Sequence, residues 1–77
     1  MRQKMIERMI KYYDGQIARL QSDIDTYLDH PVGIGEHKDI TGTLDELIAE
    51  LAGWEEKRHV LDMFFRRAEG VRSENDE

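Results

Sequence analysis

Cysteine is absent from this 77-residue sequence, which excludes disulfide staples, thiolate metal sites and cysteine nucleophiles. Proline occurs once, at Pro31, so the long segments on either side lack the residue that ends helices outright. No apolar run approaches the roughly 18 residues that cross a bilayer. The N-terminus likewise lacks the continuous apolar core of a signal peptide. The expectation is a cytoplasmic protein with no membrane segment. A basic surplus is also missing: 11 Lys and Arg stand against 17 Asp and Glu, a formal charge of −6. That balance argues against generic nucleic-acid binding, which draws on cations that displace counterions from phosphates. Ser22 and Ser73 have no His and acid beside them, and Gly33-Ile34-Gly35 lacks the third glycine and preceding strand of a phosphate loop. The sequence therefore points to no catalytic residue, no cofactor and no enzyme.

What remains is periodicity. Ile6, Ile10, Tyr13, Ile17, Leu20, Ile24 and Tyr27 follow one another in alternating steps of four and three, and Ile40, Leu44, Leu47, Leu51, Trp54, Arg58, Leu61, Phe65 and Ala68 repeat the alternation. This is the seam pattern of packed helices with a left-handed supercoil. The fold class predicted is all-α: a two-helix antiparallel hairpin over residues 1–70, with helix 1 at about 2–29, a loop at 30–38, helix 2 at about 39–69, and a frayed acidic tail at 71–77. Helix 1 of that length extends roughly 42 Å, and its one weak propensity, Gly15, lies opposite the seam. Pro31 stops it. In the structural loop Pro31, Val32, Gly33, Ile34, Gly35, Glu36 and His37, the glycines permit positive φ and the two aliphatic residues plug the end of the bundle. Helix 2 has two candidate N-caps, Asp39 and Thr43, and the earlier is favoured because Ile40 is in phase with the stripe. Gly70 fits the position after its last turn.

A hairpin this small buries too little surface to be comfortably stable. Large apolar residues also flank the seams: Met5, Met9, Tyr12 and Leu28 on helix 1, Ile48, Val60, Met63 and Phe64 on helix 2. An arc that broad suits a helix touching two neighbours. The sequence thus predicts a homodimeric four-helix bundle with Met5, Met9, Tyr12, Ile48, Val60, Met63 and Phe64 at the interface. Cations gather toward the open end (Arg2, Lys4, Arg8, Lys11, Lys57, Arg58, Arg66, Arg67) and acids toward the loop (Asp23, Asp25, Asp29, Glu36, Asp39, Asp45, Glu46, Glu50). Antiparallel pairing sets unlike ends together. Arg58, the polar intruder in the seam, either meets Asp14 or the Tyr13 hydroxyl across the hairpin, or snorkels outward.

Two further chemistries are open to these residues. Glu56 and His59 have the Glu-x-x-His spacing that places two metal ligands on one helical face. Over a few residues, Glu55 to His59 resembles the ligand helix of encapsulated ferritins; that resemblance implies a metal-binding bundle, but helix 1 offers only Glu7 as a partner glutamate. His30, Glu36 and His37 cluster around the loop, where capping and turn decoration explain them better than metal binding. An architectural resemblance to the Rop type of plasmid regulators, also antiparallel dimers of helical hairpins, implies RNA binding through the basic ends, with Arg66 and Arg67 foremost. The most specific string is Pro31 to His37. Together with Met5 to Tyr13 it resembles a group of small uncharacterised proteins of tailed bacteriophages. The resemblance implies a phage accessory or host-interaction factor made in the bacterial cytoplasm, with a host or phage protein as its partner and no catalytic residues.

Overall fold

The computed structural model describes residues 1–30 and 39–66. They form two α-helices, α1 (Arg2–Asp29) and α2 (Ile40–Leu61), and a π-helical turn (Asp62–Arg66) that continues α2; no strand occurs among the described residues. The helices are antiparallel. Arg2 at the start of α1 donates to the Phe65 carbonyl, Asp14 pairs with Arg58, and Arg19 reaches Glu50, so that residue numbers rise along one rod as they fall along the other. The loop Pro31 to His37, together with Arg67, Ala68, Gly70 and the acidic tail, lies outside the described residues. No described helix is long and apolar enough to cross a membrane.

The ends of the helices follow from local chemistry. Met1 precedes α1 with no capping side chain, and neither an acid in its first turn nor a base in its last complements the helix dipole. At its far end the His30 N–H donates to the Thr26 carbonyl at 2.9 Å, and the Thr26 hydroxyl donates to the Ser22 carbonyl at 3.0 Å. Of the two possible starts for α2, the structure uses Asp39. Its carboxylate accepts from the Gly42 N–H at 3.0 Å and its carbonyl from the Thr43 N–H at 2.9 Å, satisfying donors that a helix start leaves unpaired.

The cap makes Gly42 a coupled position. A Cβ there would lie 2.5 Å from Asp39 Oδ2. Asp39→Ala is expected to cost about 1 kcal/mol through the lost cap. Gly42→Ala, worth up to about 1 kcal/mol in an ordinary helix interior, is expected to be nearly neutral here because the methyl displaces the capping carboxylate. In the Asp39→Ala background the same substitution should recover its full gain, a non-additivity that urea titrations of the four proteins will measure.

The core is small and one-sided. Ile6, Ile10, Ile17 and Leu20 are the buried apolar residues, all on α1, and Leu20 alone is fully buried. No residue of α2 is buried. Its seam residues Ile40, Leu44, Leu47, Leu51, Trp54 and Leu61 are only half-buried, because a single neighbouring rod covers one side of a helix and leaves both flanks open. At the open end the α-helix stops at Leu61 and continues as a wider π turn over Asp62–Arg66; the rest of the expected helix, to about residue 69, lies outside the described residues. Phe65, on that turn, is 46% exposed beside the seam residues Ile6 and Leu61.

Candidate functional site

The two long faces of the hairpin differ. Met5, Met9, Tyr12, Gln16, Arg19 and Asp23 form one stripe of α1 by their steps of four and three. Glu50, Gly53, Lys57, Val60 and Phe64 form the matching stripe of α2. Contacts join the stripes into one face. The Arg19 guanidinium lies 3.3 Å from Glu50 Oε2, the Trp54 indole N–H donates to the same oxygen at 3.4 Å, and the Tyr12 ring meets Trp54 edge-on with centroids 5.6 Å apart. Lys57 Nζ sits 3.9 Å from the Trp54 ring centroid, a cation–π arrangement that keeps this cation on the face.

Along its length this face changes character. Its loop half is polar and internally paired: besides Glu50, Arg19 holds Gln16 Oε1 at 2.9 Å and approaches Asp23 within 3.8 Å. Its open half is apolar. Met5 and Tyr12 are each 50% exposed and Phe64 is 65% exposed, with Met9 and Val60 half-buried between them. An open groove of about 360 Å³ lined by Arg2, Met5, Ile6, Leu61 and Phe65 meets a second of about 280 Å³ lined by Tyr13, Glu56, Lys57, Val60, Leu61 and Phe65; Leu61 and Phe65 are common to both.

The seven residues expected at an interface therefore divide. Met5, Met9, Tyr12, Val60 and Phe64 fall together. Ile48, 51% exposed, lies on the opposite flank of α2 in the loop half, and Met63, 38% exposed, lies in the π turn. Phe65 and Arg2 meet at the open end, where the Arg2 guanidinium donates to the Phe65 carbonyl; no sequence signal marked the π turn that carries Phe65.

The opposite face carries the polar intruder. Arg58 Nε donates to Asp14 Oδ1 at 2.5 Å, one of the two sequence-level expectations for this residue. The hydrogen bond to Asp14 is the main reason the guanidinium pKa stands above its ordinary value, against a smaller opposing effect of desolvation. A raised cation pKa contributes stability that is lost only as pH climbs past the arginine range, so this side of the pair is insensitive to pH under ordinary conditions. The Asp14 side chain is 52% exposed and that of Arg58 34%, which holds the pair to about 0.5 kcal/mol. Asp14→Arg and Arg58→Asp are each expected to destabilise the hairpin, and the double exchange to restore most of the loss; a double-mutant cycle by urea denaturation at one fixed protein concentration measures the coupling.

Metal and phosphate chemistry find less support. Glu56 and His59 are both exposed on α2, and the described residues contain no group of three His, Cys, Asp or Glu placed to hold a metal ion. His30 is the C-cap of α1, while Glu36 and His37 lie outside the described residues. Lys4, Arg8 and Lys11 line a shallow groove on the outer surface of α1 with Glu7 among them, so the basic cluster carries its own acid. No protein-family model matches the sequence, and neither a curated protein nor a solved structure shows significant similarity to it.

Proposed function

We propose that this chain is a non-catalytic binding protein that works as an antiparallel homodimer, two hairpins forming a four-helix bundle. One observation carries the reading: α2 has no buried residue, while large apolar side chains stand exposed on one face of the hairpin. A 22-residue helix whose seam is only half-buried gains less from the hydrophobic effect, the main favourable contribution to folding, than one covered on both flanks. A second hairpin laid across that face supplies the missing partner for both helices. The segregation of charge toward opposite ends of the rod favours loops at opposite ends of the dimer, since parallel packing would place the two acidic ends together.

Within this reading the biological role is that of a phage accessory or host-interaction factor in the bacterial cytoplasm, which the likeness of the Pro31 to His37 string and the Met5 to Tyr13 opening supports. The dimer then presents its outer surfaces to a host or phage protein. Sedimentation equilibrium at micromolar concentration tests the assembly: a species of twice the 9.1 kDa chain mass is expected, and a folded monomer refutes it.

A further inference from the structure

We infer that the second copy docks on the open half of one face only, in an antiparallel stagger centred near Met9 and Val60, rather than overlapping the hairpin along its full length. This register presupposes the self-association proposed above and specifies its contact surface.

The apolar and polar halves of the face decide the register. Full overlap, centred on Gln16 and Gly53, would seat Met9 and Tyr12 of one copy on Asp23 and Arg19 of the other, half-exposed groups already paired with one another. Covering them with a methionine and a tyrosine ring removes their water without offering a charged partner. The compensation would be exposed charge pairs where an acidic end meets a basic one, and exposed pairs contribute little. A stagger brings apolar half onto apolar half. The two-fold axis then crosses the rods at Met9 on α1 and Val60 on α2, so that α1 faces α1 and α2 faces α2.

The same shift separates the acidic halves, and the basic open ends that it brings together carry acids of their own, Glu7 among Lys4, Arg8 and Lys11 and Glu56 beside Lys57. Asp23 lies 14 positions beyond Met9 on the same helix, roughly 21 Å along the rod. In the staggered dimer the two acidic halves point away from each other, about 42 Å apart at Asp23, several Debye lengths at physiological salt. The product is an elongated particle with the Asp29 and Asp39 ends of the helices at its extremities.

Single-cysteine variants read this register directly, because the chain has no cysteine of its own. Residues beside a two-fold axis approach their own symmetry mates closely enough for a disulfide, and those far from it do not. Under mild oxidation Met9→Cys and Val60→Cys are expected to form covalent dimers about tenfold faster than Gln16→Cys and Gly53→Cys, which sit at the centre of a fully overlapped pair. The reverse ranking overturns the stagger, as does cross-linking of Met9→Cys only with Val60→Cys, the mark of parallel hairpins. Circular dichroism of each reduced variant confirms that it folds. If the parent chain is a dimer but none of the four positions cross-links, this register fails and self-association stands. If the parent chain is a folded monomer, both fail.

Discussion

Phe64→Asp is expected to dissociate the dimer and, at low micromolar concentration, to remove most of the helical signal with it. The expectation is sharp because the two accounts of the surface disagree on its size. In a hairpin that stands alone, Phe64 is 65% exposed, and replacing an exposed apolar residue by a charged one changes stability by no more than about 0.5 kcal/mol. In the dimer the new carboxylate is taken out of water on an apolar surface, a cost that Lys57 of the facing copy offsets only in part. The loss of an aromatic anchor of this kind is about 2 kcal/mol per copy. Two-fold symmetry applies it twice, roughly a thousandfold in dissociation constant. Light scattering together with circular dichroism over a dilution series gives the answer, and Ile48→Asp, 51% exposed on the opposite flank of α2 in the loop half and outside the proposed contact, serves as the control that should change neither.

Leu20→Ala is expected to unfold the chain whatever its oligomeric state. Leu20 is the one fully buried side chain among the described residues, and it lies on the stretch of α1 between Ile17 and Ile24. Truncating a buried leucine costs about 3 kcal/mol, the transfer of its methyl groups plus the cavity left behind. A core of this size supplies little more than that in total. Leu28→Ala offers the contrast: at 60% exposure it should alter stability by less than about 0.5 kcal/mol. Far-UV circular dichroism and urea midpoints at matched concentration separate the two.

Much of the hairpin is legible in the residues themselves, for reasons that can be named. The heptad alternation from Ile6 to Tyr27 sets one face of α1, and Pro31 sets the limit beyond which a helix cannot run. Asp39 declares itself as a cap because a short acid before an apolar stripe has a backbone N–H to accept from. Arg58, a cation at a position where the neighbouring rod brings an acid, finds Asp14. What periodicity does not give is how far two rods cover each other. Phase tells which residues face the partner helix, and the same phase is compatible with burial or with half-burial; the seam of α2 turns out half-buried.

The open end was harder still to read. The π turn at Asp62–Arg66 changes the angular step after Leu61, and no residue type in that segment announces it. Phe65 stands 46% exposed there, beside Ile6 and Leu61. The flanking residues Met5, Met9, Tyr12, Val60 and Phe64 were identifiable as surplus to a two-helix seam. Their separation from Ile48 became visible only with the Tyr12–Trp54 and Arg19–Glu50 contacts, which show which flank of each helix shares a face with the other.

The central claim is that this hairpin needs a second copy to hide one face, and the dependence of its thermal melting on concentration tests that most directly. Raising the concentration a hundredfold stabilises a folded dimer against unfolded monomers by about 2.7 kcal/mol, which moves the melting temperature up by roughly 5–10 °C for two chains of this length. A shift of that size, with the midpoint independent of scan rate, is the predicted result. A melting temperature that stays fixed across the same range, for a chain that sediments as a folded monomer, contradicts the account.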